Sequence, residues 1–321
     1  MPRFARRNSR FRSRKPSRKG RSARRSTTRT RRTPRRSRRR GMSVKAILNK
    51  TSRKKRNGML SYSNSTNLGA IAPVTQAPLT IIGSAAGNNL GIIHFRPTAM
   101  DMTRPTGGAP NSIVDQATRT SSVCFMKGLS EKIRIETSSG SPWFHRRICI
   151  TSRDQNFILP GAADPTGIER GYYASGAIET SNGWQRLAAN VQLEGTSFQD
   201  TLSIWLTLLF KGQQGKDWDD FITAPMDTNR VDVKFDKTWV YRSGNERGIL
   251  KETKIWHGMN KNLYYQDDED GASTTTFSAS VTDKRGMGDY HIFDFFSQGS
   301  SGSTSDLLKI RFTSTMYWHE K

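Results

Sequence analysis

The stretch VDVKFDKTWVYR, residues 231–242, indicates most directly how this chain folds. Its apolar and aromatic side chains share one parity, and its charged side chains mainly take the other. The apolar set is Val231, Val233, Phe235, Trp239 and Tyr241, opposed by Asp232, Lys234 and Asp236. A period of two is typical of a β-strand with one buried face. The stretch therefore predicts a half-buried strand.

The same alternation recurs along the chain. LKIRFTSTMYW, residues 308–318, predicts a closing strand, and Ile133 and Ile135 alternate with charged residues. Other strand-like runs lie at 79–82, 91–96, 121–127, 143–151, 253–257 and 290–296. Residues 197–210 fit both a strand and a helix. We predict a strand there, because Thr and Trp favour strands and the run ends at Gly212.

These runs amount to about eight to ten strands joined by long polar connections. The connections cover residues 97–120, 152–196, 212–230 and 266–288, and they are too long for a meander of tight hairpins. No fixed repeat is present, which disfavours a propeller. The sequence predicts an all-β chain: a single jelly-roll antiparallel β-sandwich with long loops and a disordered arginine-rich N-terminal arm.

Charge divides the chain into two parts. Of its 52 Lys and Arg residues, 26 lie in residues 1–56, where there is no carboxylate. The remaining 26 basic and 27 acidic residues give residues 57–321 a net charge of −1. We therefore predict a basic arm over 1–56 and a shell domain over 57–321. Helical spacing of Val44, Ile47 and Leu48 predicts one short helix near the end of the arm.

The arm has the composition of a polyanion-binding segment. Residues 1–40 hold 20 Lys and Arg with few apolar side chains, so the free segment cannot offset the entropy of ordering. Arginine favours bidentate phosphate contacts, and no apolar face exists for a membrane. Binding to nucleic acid should be largely independent of sequence. The predicted binding residues are Arg6, Arg7, Arg10, Arg12, Arg14, Lys15, Arg18, Lys19, Arg21, Arg24, Arg25, Arg29, Arg31, Arg32, Arg35, Arg36, Arg38, Arg39 and Arg40.

Two dense basic clusters resemble nuclear localisation signals. The alternative is that they only add charge for binding nucleic acid, and both roles are compatible. The residues are Arg35, Arg36, Arg38, Arg39 and Arg40 in the first cluster, and Arg53, Lys54, Lys55 and Arg56 in the second.

The search for enzyme chemistry finds no catalytic constellation and implies no cofactor. The five histidines form no HExxH or HxH arrangement, and GQQGK at 212–216 has the wrong glycine spacing for a phosphate loop. Two cysteines form no CxxC pair, and no apolar run of about 18 residues predicts a membrane span. Asp267, Asp268, Glu269 and Asp270 are a weak candidate cation cluster, with a solvated turn or contact with a neighbouring subunit as the alternatives.

Taken together, the arginine-rich arm and the β-rich body resemble the capsid proteins of genomoviruses, relatives of the geminiviruses. The resemblance rests on LNKTSRKKR at 48–56 with Met59-Leu60, on KIWHGMNK at 254–261 with the acidic turn, and on LKIRF at 308–312. The sequence has no zinc-finger-like Cys/His spacing of the kind found in some geminivirus capsid proteins.

The resemblance implies a shell of about 60 subunits (T=1) that packages circular single-stranded DNA. It also implies self-association, a host nuclear import receptor and a host surface receptor as partners, and a place in the virion and the host nucleus. The alternatives are a non-assembling nucleic-acid-binding protein, such as a ribosomal or chromatin protein, and an enzyme with a targeting tail.

Overall fold

The computed structural model describes residues 42–84, 89–105, 107–165 and 167–321. Strands dominate these residues, as the alternating patterns predicted. The strands are β1 (Arg53–Ser65), β2 (Ile71–Thr75), β3 (Leu79–Ile82), β4 (Asn89–Phe95), β5 (Val123–Thr137), β6 (Trp143–Ser152), β7 (Ile178–Thr180), β8 (Gly183–Leu187), β9 (Asp232–Tyr241), β10 (Leu250–Tyr264), β11 (Asp268–Asp270), β12 (Ser273–Thr275), β13 (Asp289–Gln298) and β14 (Leu307–Glu320). The α-helices are α1 (Val44–Thr51), α2 (Ile168–Ser175) and α3 (Gln199–Leu209), and 3-10 turns cover Gln155–Phe157 and Val191–Phe198.

Two sheets form the sandwich. The large sheet has the order β10-β5-β14-β1-β8-β7, with β2 paired to β1 and β3 to β14, and the small sheet has the order β4-β13-β6-β9. The first and last strands, β1 and β14, are antiparallel neighbours in the large sheet. Successive long strands repeatedly cross between the sheets, which is the double Greek-key winding of a jelly roll. The predicted all-β, jelly-roll sandwich is confirmed.

The predicted strand over 197–210 is wrong, because these residues form α3. Leu202, Trp205, Leu206 and Leu209 are buried along one side of the helix. They pack with Phe293 and Phe295, which β13 presents on the outer face of the small sheet. Alternation and helical spacing coexist in this run, and the large apolar surface of the sheet favours the continuous face that a helix provides.

The predicted boundary at residue 56 falls inside β1 and does not separate two parts of the fold. Residues Arg53–Leu60 of β1 pair in register with Glu320–Thr313 of β14. The short helix predicted near Val44 is present as α1, and the second of two compact units begins at Lys45.

The two sheets differ in what covers their outer faces. On the small sheet, Ile148, Phe293 and Phe295 are buried under α3 and neighbouring loops. The inner faces of both sheets enclose the remaining apolar core, in which Trp143, Phe312 and Trp318 are almost fully buried. On the large sheet, alternate residues of β5 and β14 remain exposed or half-buried. That outer face is accessible to a ligand.

Candidate nucleic-acid interface

The predicted nucleic-acid-binding residues, Arg6 to Arg40, lie outside the described residues, as does the first predicted localisation cluster. The second cluster is described. It forms the start of β1, where the period of two of a strand sends successive side chains to opposite faces of the sheet. Lys54 and Arg56 are exposed, whereas Lys55 is only 4% exposed. The structure thus separates four residues that the sequence groups together.

Lys55 stabilises the pairing of β1 with β14. Its Nζ donates to the carbonyl oxygen of Thr118 at 2.9 Å and lies 3.2 Å from Glu320 Oε2. Burial by itself would raise the pKa of Glu320, but hydrogen bonds from Thr120 and Trp318 and the charge of Lys55 outweigh it and lower that pKa. Lys55 is therefore engaged in the fold and unavailable to a receptor while β1 is paired.

The outer face of the large sheet collects basic side chains from four strands. Residues directly opposite each other share a face, with Cβ atoms about 4.5–5.5 Å apart. The register places Lys132 opposite Lys254, and Arg134 opposite Arg311. Side chains two residues apart on a strand lie on the same face of the sheet. Following each strand in such steps from these pairs gives seven basic residues and two acidic ones, Glu136 and Glu252, on the outer face. The basic positions are Lys54, Arg56, Lys132, Arg134, Lys254, Lys309 and Arg311.

These charges are only partly neutralised within the sheet. Arg134 Nε lies 2.9 Å from Glu136 Oε1, in a pair that is substantially exposed to solvent. Like charges directly opposite each other destabilise a strand pair. A bound polyanion would relieve this repulsion, so the face is electrostatically suited to a phosphate chain.

Aromatic rings lie among the basic residues. Trp256 is 52% exposed, and its ring centroid lies 5.9 Å from that of Tyr317. A Cβ atom at Gly128 would lie 2.7 Å from the Trp256 ring, which therefore occupies the space above that glycine. We call the seven basic residues, together with Trp256 and Tyr317, the basic aromatic face. Five of the seven basic residues lie in residues 57–321, where the net charge of −1 concealed them because acidic residues elsewhere cancel them in the sum.

A second charged cluster, which sequence reasoning missed, lies between the sheets. Glu131 and Arg186 come from the large sheet, and Arg147 and Asp294 come from the small sheet. Arg147 pairs with Glu131 and lies 2.7 Å from Asp294, while Arg186 lies 3.2 Å from both carboxylates. All four side chains are fully buried. Two positive and two negative charges thus form a neutral ion cluster that links the sheets.

The ion cluster holds its carboxylates ionised. Burial alone would raise the pKa values of Glu131 and Asp294, but the charges of Arg147 outweigh burial and lower both, with Arg186 also acting on Glu131. His145 Nε2 donates to the ionised Asp294 Oδ1 at 2.8 Å, and burial lowers the pKa of this imidazole. The rings of Phe95 and Phe312 cover the Arg186 guanidinium. Because these groups are closed off from solvent, their role in the folded chain is structural.

The histidines and cysteines also lie mainly in the interior. His94 Nε2 and His291 Nδ1 are 3.0 Å apart, and Cys149 Sγ lies 3.7 Å from His257 Nδ1. A cysteine beside a histidine is the combination found in enzymes with a thiolate nucleophile. Here burial raises the pKa of the Cys149 thiol, which stays protonated. A buried neutral thiol is a core group.

The acidic cluster does not form one ligand set. Asp267 turns inward, where its Oδ1 accepts from Arg119 Nη2 at 2.9 Å, and the Arg119 guanidinium lies 3.7 Å from the centroid of the Tyr265 ring. Asp268, Glu269 and Asp270 stay exposed on the hairpin β11–β12. Within the described ranges, no group of three or more His, Cys, Asp or Glu side chains is arranged to hold a metal ion.

None of the helices in the described part of the chain is both long and apolar enough to span a bilayer. No protein-family model and no curated protein matches the chain.

Proposed function

We propose that the protein is a viral capsid subunit that self-assembles into a small icosahedral shell and packages circular single-stranded DNA through its basic N-terminal arm. The observation that carries the proposal is the joining of 20 Lys and Arg in residues 1–40 to a single jelly roll with an exposed basic sheet. The jelly roll alone supports many functions, so the charge distribution has to carry the functional inference.

The amount of charge suits a small genome. In a shell of about 60 subunits, the 20 Lys and Arg of residues 1–40 supply roughly 1,200 positive charges. At one negative charge per nucleotide, this number neutralises about 1.2 kb of single-stranded DNA. Confining so many like charges without a polyanion would be unfavourable, so DNA should promote assembly.

Exposed apolar side chains support contact between subunits. Val44 is 73% exposed, and Ile47 and Leu48 are exposed on the same short helix, α1. In an isolated subunit these side chains meet water, whereas a neighbouring subunit in a shell could bury them. The long loops at the ends of the sandwich offer further surface for such contacts without exposing strand edges.

The proposal includes nuclear import before assembly and a later interaction with a host surface receptor. Because Lys55 is buried against Glu320, an import receptor has fewer basic side chains to bind in the second cluster than the sequence suggested. We therefore assign the principal import role to the first cluster, Arg35–Arg40. Neutralising that cluster in the full chain fused to a fluorescent reporter should abolish nuclear accumulation, and unchanged accumulation would contradict the assignment.

Negative-stain electron microscopy tests assembly directly. The full chain, freed of nucleic acid in high salt, is dialysed to low salt with and without circular single-stranded DNA of about 1.2 kb. Uniform closed shells should form with DNA, and trypsin should cut the arm far more slowly in shells than in free subunits. DNA binding without closed shells would instead identify the non-assembling nucleic-acid-binding alternative.

A further inference from the structure

We propose that the basic aromatic face is a second binding surface for single-stranded nucleic acid, with bases stacked on Trp256 and Tyr317 and phosphates bound by the surrounding Lys and Arg. The assignment of DNA as the physiological ligand rests on the proposed function. Five of its seven basic residues lie in residues 57–321, whose net charge of −1 gives no hint of the surface, and the other two, Lys54 and Arg56, lie at the start of β1.

The order of residues along the sheet favours a chain of alternating bases and phosphates. In the pairing register, the position of Trp256 lies between two basic groups, and Tyr317 lies directly opposite Arg56 of the first group. Lys54 and Arg56 lie toward one end of the strands, and a second group follows at the other end. That second group contains Lys132, Lys254, Arg134, Arg311 and Lys309. With a rise of about 3.3 Å per residue, the face extends roughly 33 Å along the strands, which is enough for several nucleotides.

The centre of the face has room for a base. Across the sheet, the position of Trp256 is aligned with Ser130, Thr315 and Gly58, all of which have small side chains or none. A Cβ atom added at Gly58 would have no neighbouring atom within 4 Å. The aromatic rings thus lie beside a shallow floor, and a base can approach them without displacing a bulky side chain.

Unpaired bases fit this arrangement better than a duplex does. Every base has a π-face that can stack on an aromatic ring, and each such contact contributes about 1–3 kcal/mol to binding. In a duplex the π-faces are stacked inside the helix, so the aromatic pair would contribute nothing and only the phosphates would be bound. The combination of half-exposed Trp256 with opposed like charges therefore indicates a single strand.

The basic residues on the small-sheet side provide a contrast. On β9, Lys234 pairs with Asp232, and Asp236 lies 2.7 Å from Arg146. These charges are neutralised within the protein, and Trp239 on the same strand is only partly exposed. Lys237 is exposed on this strand and lies 5.3 Å from the centroid of the Trp239 ring, so the contrast rests on ring exposure: Trp256 on the large sheet is 52% exposed.

Cross-linking locates the binding surface in the full chain. A 20-nucleotide oligothymidylate is irradiated with dilute, unassembled protein, and cross-linked peptides are mapped by mass spectrometry. We expect cross-links in the peptides that contain Trp256 and Tyr317 as well as in the arm. Because the subunits are dilute, failure to form shells would leave this measurement intact, so the two proposals fail separately.

Affinity measurements separate stacking from charge. At 0.4 M salt the arm's phosphate contacts are weakened, and Trp256→Ala with Tyr317→Ala should weaken oligothymidylate binding by at least 5-fold, with little effect on duplex binding. Lys132→Glu with Lys254→Glu should reduce the slope of log affinity against log salt by about 1.4. The matched control, Lys211→Glu with Lys216→Glu, changes two exposed lysines in the loop after α3 and should leave stacking-dependent affinity unchanged.

One combination of results would contradict the proposed binding surface. Cross-links confined to residues 1–52, together with less than a 2-fold change for the aromatic double variant, would overturn the proposal. Trp256→Phe keeps a ring and should retain most of the affinity. Circular dichroism of each variant verifies the fold, and the exposure of Trp256 makes a folding defect in this series unexpected.

Discussion

Replacement of Asp294 by Asn tests whether the buried ion cluster holds the two sheets together. The carboxylate accepts from Arg147 Nε at 2.7 Å, Arg147 Nη2 at 2.9 Å and Arg186 Nη2 at 3.2 Å, and it contacts His145 Nε2 at 2.8 Å. Asparagine has nearly the same shape, but it has no charge and one fewer acceptor oxygen. The substitution leaves two buried guanidinium groups opposite one carboxylate, Glu131.

The expected loss is about 3–5 kcal/mol in the free energy of unfolding, the cost of an uncompensated buried charge. This is a large share of a typical total of about 5–15 kcal/mol. Urea unfolding of the full chain measures the loss, with nucleic acid removed in high salt so that subunits are free. Fluorescence of the buried residues Trp143, Trp205 and Trp318 reports the transition.

Two further variants make the result specific. Asp268→Asn removes the same charge from the exposed hairpin and should change stability by less than about 0.5 kcal/mol. Adding Arg186→Met to Asp294→Asn restores neutrality in the cluster, so the double variant should lose less than the sum of the two single variants. A loss below about 1 kcal/mol for Asp294→Asn would refute the inference that this cluster is a principal link between the sheets.

Three other predictions follow from the described contacts. Burial lowers the pKa values of His94, His145 and His291. Their contribution to stability should therefore be complete above the unfolded pKa of about 6.5. As the pH decreases below that value, the free energy of unfolding should decrease by up to about 1.4 kcal/mol per pH unit for each histidine. Glu179, whose pKa burial raises to about 7, opposes part of this loss, and urea unfolding at pH 7.5 and 5.5 with no difference would contradict the prediction. Removing residues 1–41 should leave the unfolding midpoint in urea unchanged. Removing residues 1–56 should lower the midpoint markedly, because β1 loses four paired residues and Glu320 loses its contact with Lys55. Equal midpoints for the two deletions would contradict this prediction. Arg119→Lys should make the β11–β12 hairpin more sensitive to limited proteolysis, because lysine cannot replace the bidentate contact with Asp267. Arg285→Lys, at an exposed arginine, is the control, and equal cleavage rates for the two variants would argue against this anchoring role.

The sequence by itself determined the strands in which one face is buried. In residues 231–242 and 308–318 the alternation of apolar and polar side chains is set by the local geometry of the strand, and β9 and β14 lie where that alternation is found. It also determined the distribution of charge along the chain. It did not resolve α3, since an alternating run of leucines with Trp205 satisfies either period until a partner surface selects one.

Tertiary structure alone decided which charges act together. Arg146 and Arg147 are adjacent in the sequence, yet they lie on opposite faces of the small sheet: Arg146 pairs with Asp236, and Arg147 joins the ion cluster with Asp294. Lys55 is buried between exposed Lys54 and Arg56 for the same reason. The basic aromatic face depends on the register among four strands, including the shifts in β5 and β10 near Gly128. Those pairings join residues far apart in the chain, and they depend on the burial of both sheets at once, so no local pattern specifies them.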